Sequence, residues 1–244
     1  MIRETSLDRL KHKKLQSLHE AAADLSSIRM EFERFDPRSI PIVSAKLAAW
    51  SAALDEYLTT NAEHLTSATS KRTVALLELR KQFFEVDLDA HSSGDDTDLL
   101  KWDRHGDKFS DMIKLAEAAM DVSDLPPQLA SGPQFHMHTG AVPILYGIAC
   151  RCRDPAIRRK AASLLTRRPR LEGVWNNATV SRVAFQIMVT EERGLPAQSS
   201  MDIPADSRIR GIKVAMGANR QYMLGYMTSQ GYVWEHAAKY GVTH

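Results

Sequence analysis

Four groups of residues in this chain have the types and spacing to do chemistry. The first is His136-Met137-His138. In an extended segment residues i and i+2 point to one side, so both imidazoles would face a common space. Imidazole ligates metals and titrates near neutral pH, so the pair could supply two metal ligands or an acid and a base. Packing at a helix start is the third reading, and no third ligand stands at a metal-site spacing. The second group is Cys150-Arg151-Cys152. Structural zinc takes four ligands, usually from two spaced pairs, and here there is a single C-x-C. In a helix the two thiols would diverge by about 200°. They read as a buried Cys150 and an inert Cys152. The third group is Asp95-Asp96-Thr97-Asp98. Clustered aspartates can hold a cation, but a helix start accounts for all three carboxylates through the positive end of the dipole. The fourth is Trp50, Trp102, Trp175 and Trp234, about one per predicted segment. They pack in cores, or they line a pocket if the fold makes them converge. Trp50, Trp102, Tyr146 and Trp175 are the candidate binding residues.

Other chemistry finds no sequence support. There is no G-x-x-x-x-G-K phosphate loop, no G-x-G-x-x-G fingerprint and no G-x-S-x-G nucleophile elbow. No metal and no cofactor is expected. The 244 residues are 43% hydrophobic and 25% charged, which suits a chain with a real core. No apolar run approaches the roughly 18 residues of a membrane span. The first residues, Met1-Ile2-Arg3-Glu4-Thr5, lack the apolar core of a secretory signal. Two cysteines make no disulfide framework, so a reducing compartment, nuclear or cytoplasmic, is expected.

Charge is unevenly spread. Residues 1–130 hold 17 Lys and Arg against 23 Asp and Glu, a balance of −6. Residues 131–244 hold 15 against 7, a balance of +8. The acidic pole centres on Glu85, Asp87 and Asp89 with the Asp95–Asp98 run. The basic pole comprises Arg151, Arg153, Arg158, Arg159, Lys160, Arg167, Arg168 and Arg170. These cations could contact phosphates, but no interleaved aromatics offer bases a stacking surface. Pairing within the chain, with the acidic half, is the preferred reading.

The elements that would position these groups follow from periodicity. Leu7, Leu10, Leu15, Leu18, Ala22, Leu25, Ile28 and Met30 predict a helix over 6–35, ended by Asp36-Pro37. Ser39 reads as the N-cap of a second helix, with Pro41 in its first turn and Leu47, Trp50, Leu54 and Leu58 along it. A third helix begins near Thr69 and breaks at His91-Ser92-Ser93-Gly94. A fourth would start at Asp95–Asp98 and carry Trp102, Phe109, Met112 and Met120. Ser123–Pro133 reads as a loop. Thr139–Cys150 predicts a buried helix, Asp154-Pro155 the cap and first residue of the next, and Glu172–Arg193 a longer one. Alternation over 209–216, a turn at Gly217-Ala218-Asn219 and alternation over 221–228 predict a β-hairpin. Tyr232-Val233-Trp234 fits a third strand or a short helix. The expected fold is mainly α, an antiparallel array of about seven helices with a C-terminal β-hairpin. Its parts are residues 1–130, antiparallel helices, and 131–244, the basic half with the hairpin, packed as one domain.

Residues 44–228 resemble the C-terminal half of the regulatory domain of fungal zinc binuclear cluster transcription factors. The resemblance is carried by the order of Ala49-Trp50 to Tyr57-Leu58, Ala75-Leu76-Leu77-Glu78-Leu79 and Leu115-Ala116-Glu117-Ala118-Ala119. Val142-Pro143-Ile144-Leu145-Tyr146 and Cys152-Arg153-Asp154-Pro155-Ala156-Ile157-Arg158-Arg159-Lys160-Ala161 follow. Then come Leu164-Leu165, Arg168-Pro169-Arg170, Glu172-Gly173-Val174-Trp175 and Ile203-Pro204 to Arg208-Ile209-Arg210. Such factors normally begin with a six-cysteine zinc cluster that reads DNA, and this chain has two cysteines, neither in such a motif.

The resemblance implies a regulatory or interaction domain without its own DNA-binding module, either stand-alone or a truncated product. A protein partner or a small apolar ligand is expected. Sequence-specific DNA binding and membrane association are not, and a homodimer is compatible with the sequence. The alternative is an enzyme recruited from this domain in fungal secondary metabolism. It would be a metal-independent acid/base cyclase, dehydratase or isomerase for an apolar substrate, with His136 and His138 catalytic. A closed apolar pocket holding one His and one carboxylate would favour the enzyme, and a filled core the regulatory domain.

Overall fold

The structure, a computed structural model, describes residues 13–33, 37–92, 98, 100–121, 123, 134–136, 140–167, 170–173, 175–192, 194–216, 222–228 and 231–236. Among them are seven α-helices, as the periodicity predicts, and two three-stranded sheets.

Helix α1, Leu18–Glu33, buries Ala21, Leu25, Ile28 and Phe32, a stripe at spacings of four and three. It starts later than the predicted 6–35. Ser17 Oγ accepts the Glu20 N–H at 3.1 Å, and the Glu20 carboxylate turns back onto the Gln16 N–H at 2.8 Å. That cap fixes the first turn, and Lys13–Ser17 stay outside it. Met30, expected inward, is exposed. Leu7 and Leu10 lie outside the described residues. Helix α2, Ile40–Thr60, packs on α1 through Val43, Leu47, Trp50 and Leu54. The Trp50 Nε1–H donates to the Ala21 carbonyl at 3.0 Å, so its one polar atom is satisfied inside the core.

Helix α3, Ala68–His91, is capped by Ser67, whose side chain accepts the Ser70 N–H at 3.0 Å. It is apolar on two sides. Leu77, Phe84 and Leu88 face the α1–α2 core, whereas Leu79, Val86 and Ala90 belong to a second core. That second core is built with α4, Gly106–Ala119, with α5, Val142–Arg151, and with α6, Pro155–Thr166. The predicted start of α4 at Asp95–Asp98 is corrected to Gly106. Asp95, Asp96 and Thr97 lie outside the described residues, and Asp98 Oδ1 accepts the Leu100 N–H at 2.9 Å in a turn. Asp103 is gripped by both terminal nitrogens of the buried Arg208, at 2.8 and 2.9 Å, in a single 3-10 turn before α4.

Helix α5 carries Pro143 in its first turn, as expected. Asp154 caps α6 by accepting the Ala156 and Ile157 N–H groups at 2.9 and 3.0 Å, and Pro155 occupies the first turn. The predicted helix over Glu172–Arg193 is corrected. Arg170–Glu172 (β2) and Trp175–Asn176 (β3) are antiparallel strands, and β2 pairs in parallel with β1, Gln134–His136. Gly173, at φ 57°, reverses the chain between them. The buried Glu172 carboxylate reaches the start of α5 and accepts the Gly140 and Val142 N–H groups at 3.0 and 2.9 Å. A Cβ at Gly140 would sit 2.5 Å from a Glu172 oxygen, so only glycine fits. Helix α7 then runs from Asn177 to Glu192.

The C-terminal hairpin is present and extended by a strand. β4 (Gly211–Met216), β5 (Tyr222–Thr228) and β6 (Gly231–His236) form an antiparallel meander, which settles Tyr232-Val233-Trp234 as strand. The predicted 217–219 turn lies outside the described residues. None of the described helices is long and apolar enough to cross a membrane.

The two sheet-bearing ends are held by charge. Glu191 near the end of α7 is wholly buried. Its Oε1 accepts from Arg153 at 2.7 Å and from the Ile209 N–H at 2.9 Å, and its Oε2 accepts from Arg158 at 2.7 Å. Replacing Glu191 by Ala leaves the buried Arg153 without a counter-ion and the buried Arg158 with only Glu192, at 3.8 Å. The expected cost is about 3–5 kcal/mol, read as a fall in the urea midpoint. A loss below about 1 kcal/mol would show the cluster to be dispensable.

His105, before α4, is buried and stacks edge-on against Phe109. Burial disfavours its imidazolium and lowers its pKa from 6.5, and this outweighs the opposing pull of Asp89. The Arg104 Nε–H directed at His105 Nε2 also suits a neutral ring. The unfolded chain takes the proton more readily than the folded one. This part of the stability is therefore present above pH 6.5 and lost as pH falls through the lowered folded value. A His105→Gln variant should show a shallower fall of Tm between about pH 6.5 and 5 than the parent.

Candidate ligand-binding cavity

A cavity of about 1220 Å³ opens to solvent between α1, α3, α5 and the start of β4. Helix α3 forms its floor. Arg80, Phe83, Asp87 and His91 recur at spacings of three and four, one stripe of that helix. Helix α5 forms a wall with Tyr146, Gly147, Cys150 and Arg151. Gly147 permits the close approach. A Cβ there would lie 2.4 Å from the Phe83 ring, and that ring also carries the Arg151 guanidinium 5.3 Å above it.

The lining is cationic and aromatic. Six of its side chains are Lys or Arg, namely Arg29, Arg80, Lys101, Arg151, Arg153 and Arg210, against the single carboxylate of Glu33. Asp87, 1% exposed, lies just behind. It forms ion pairs with Arg29 at 2.6 Å and with Arg151. Arg151 stacks 4.6 Å over Trp102, and His91 meets Trp102 edge-on at 5.9 Å. The His91 Nδ1–H donates to the Asp87 carbonyl at 2.7 Å, which holds the ring in place. Arg80 donates to Ser26 Oγ at 2.7 Å. Burial, then repulsion from the Arg29 guanidinium beside it, lowers the Arg80 pKa.

Tyr146, on the α5 wall, and Trp175 have ring centroids 5.8 Å apart. Burial raises the Tyr146 pKa far above the phenol range, and its hydroxyl hydrogen-bonds the Cys150 thiol one helical turn on. Both cysteines are free thiols; Cys152 is buried, whereas Cys150, expected to be buried, is only half-buried because its helix face lines the cavity. Burial pushes each up to about 12. Among the described residues no group of three or more His, Cys, Asp or Glu is arranged to hold a metal.

The structure distributes the candidate residues unevenly. Trp102, Tyr146 and Trp175 come together on this cavity. Trp50 is 1% exposed in the α1–α2 core and away from it. His136 lies on β1, where its backbone pairs with Glu172. His138 lies outside the described residues. The cavity is open, and its lining includes His91 and the Glu33 carboxylate, so it matches neither the closed apolar pocket expected of the enzyme alternative nor the filled core expected of the regulatory domain. Arg29, Arg80, Phe83 and His91 went unpredicted. For the three on α3 the signal is the Arg80–Phe83–Asp87–His91 stripe, which mixes charge and rings at helical spacing; Arg29 lies on α1 and has no such signal.

The basic pole pairs within the chain, though only partly with the acidic half. Arg151 meets Asp87, and Lys160 and Arg167 meet Glu117. Arg153 and Arg158 meet Glu191, Arg159 meets Glu192 and Arg170 meets Glu172, all within the basic half. Arg168 lies outside the described residues.

Comparison with known proteins places part of this chain near one fungal regulator. The aspercryptin biosynthesis cluster-specific transcription regulator of Emericella nidulans is 36% identical over 91 residues. The match spans 35% of this chain and 15% of the length of that regulator. No family model matches the chain, and no solved structure matches it. The chain is thus similar, over about a third of its length, to a fungal transcription regulator.

Thiols held near 12 are almost wholly protonated at pH 8. The folded protein should therefore resist iodoacetamide at pH 8, while the urea-unfolded chain takes up two equivalents. Rapid labelling of Cys152 in the folded state, located by mass spectrometry, would contradict its buried placement.

Proposed function

We propose that these 244 residues act as a regulatory domain of the transcription-regulator type, nuclear in location, which answers to a small effector held in the α1–α3–α5 cavity. The similarity to a regulator of a biosynthetic gene cluster carries the reading. The cavity supports it. At about 1220 Å³ it is somewhat larger than a typical small-molecule site, and it combines apolar walls with converging polar groups. DNA reading is supplied from elsewhere, because the sequence has two cysteines and no six-cysteine cluster. Arg153, Arg158, Arg159 and Lys160, which could have met phosphates, are instead engaged with carboxylates of the same chain.

Fusion to a heterologous DNA-binding module tests this. Reporter output in a fungal host should differ severalfold from that of the module alone, in either direction. A Gly211→Leu variant, at a lining position where an added Cβ meets only Met227 Cε at 3.6 Å, should alter that output while the fusion remains nuclear and present at equal level. Output equal to that of the bare module, for a fusion that is folded and nuclear, would sink the proposal.

A further inference from the structure

The regulatory reading leaves the effector's chemistry open, and the cavity wall narrows it. The cations that line the cavity are not equally satisfied. Arg29 is engaged by Asp87 and Glu33, Arg151 by Asp87, and Arg153 by Glu191. Arg80 has no carboxylate partner among the described residues. Its hydrogen bond to Ser26 uses one of the five N–H donors of a guanidinium. Arg80 also feels the like charge of Arg29, and the carboxylates that engage Arg29, Asp87 and Glu33, form no ion pair with Arg80. Arg210, across the cavity on the approach to β4, also has no ion pair among the described residues. An anion placed by Arg80 would meet a preformed fork, relieve the repulsion and cost no existing ion pair.

The rest of the wall selects shape. Phe83 and Trp102 carry the Arg151 guanidinium over their faces, and Tyr146 and Trp175 add two more rings to the lining. A lining rich in rings suits an aromatic body. A purely apolar ligand would leave the Arg80 charge to be desolvated without a partner, which is costly.

We propose that the cavity binds a small molecule with a flat aromatic body and one anionic group, a carboxylate, sulfonate or phosphate, which Arg80 recognises. This rests on the regulatory reading only for its biological meaning. The binding itself stands on the cavity.

The probe is anilinonaphthalene sulfonate, compared with its neutral counterpart phenylnaphthylamine, in fluorescence titrations of the full chain. The expected result is one saturable site that prefers the sulfonate about tenfold or more, the value of one charge-assisted hydrogen bond. In Arg80→Gln that preference should vanish, with the neutral probe's Kd unchanged and the far-ultraviolet spectrum and Tm as in the parent. Arg80→Lys should keep part of the preference. Equal affinities of the two probes for the parent protein would overturn the proposal, whatever the variants do. So would a folded Arg80→Gln that retains the preference.

The two readings fail separately. Anion preference in a protein whose fusion leaves the reporter unmoved refutes regulation and keeps the site. An active fusion without anion preference does the reverse.

Discussion

A single buried carboxylate holds together the parts of this fold that sequence alone would leave apart. Glu191 receives Arg153 from the α5–α6 connection, Arg158 from α6 and the Ile209 N–H from the segment before β4. Three stretches of chain thereby share one anchor. The arginines complete the arrangement through backbone: Arg153 donates to the Arg151 and Ile209 carbonyls, and Arg158 to the Ala149 carbonyl. The cluster is not fully satisfied. Arg158 Nη1 and Glu192 Oε1 lie 3.8 Å apart, each without a hydrogen-bond partner. Buried charge of this kind gives little net stability over an apolar substitute, but it penalises any other arrangement of the same elements. Its role is therefore to fix where β4 and the segment before it sit. That segment supplies Ile209 and Arg210 to the cavity.

The cavity follows from the position of α3. A helix with apolar stripes on two sides must pack into two cores at once, and α3 does so with Leu77, Phe84 and Leu88 on one side and Leu79, Val86 and Ala90 on the other. Its remaining stripe, Arg80 to His91, can join neither core without burying charge. Asp87 resolves part of the conflict by drawing Arg29 from α1 and Arg151 from α5 onto itself. The two helices are tied to α3 at that level and stand apart above it. The gap is polar at its base and aromatic on its walls.

The helices were legible because their signals are local. Asp154 and Pro155 mark a start by capping chemistry, the third helix begins one residue from the expected Thr69, and the apolar spacing of α1 and α2 marks their inner faces. The errors fall where a distant partner decides. Glu172 reads as helical until the N–H groups of α5 claim its carboxylate, and Asp103 waits on an arginine 105 residues away. Of the four candidate binding residues, Trp50 differs from the others only in having the Ala21 carbonyl within reach of its indole. No sequence spacing reveals that. Trp102, Tyr146 and Trp175 come from three separate segments, and their common space exists only once α3 and α5 have docked. The Arg80 stripe was visible as a pattern, but its meaning depends on which carboxylates the fold brings near.

The charge asymmetry takes on a different sense once partners are assigned. A balance of +8 over residues 131–244 suggests a surface for polyanions. A phosphate backbone gains affinity from cations whose counter-ions are mobile, since their release drives binding. Here Arg153, Arg158 and Arg159 are held by the fixed carboxylates of α7, and Lys160 and Arg167 by Glu117. Freeing them would break structural ion pairs and release no ions. The most buried of these pairs also lock the fold, so their cost rises with the depth at which a polyanion would have to reach them. Arg80 is the opposite case. It stands on the acidic half, in a recess too narrow for a duplex and walled by rings. Net charge therefore misplaces the anion-binding potential of this chain. The relevant quantity is how many buried cations lack a carboxylate, and on that measure the potential lies inside the cavity.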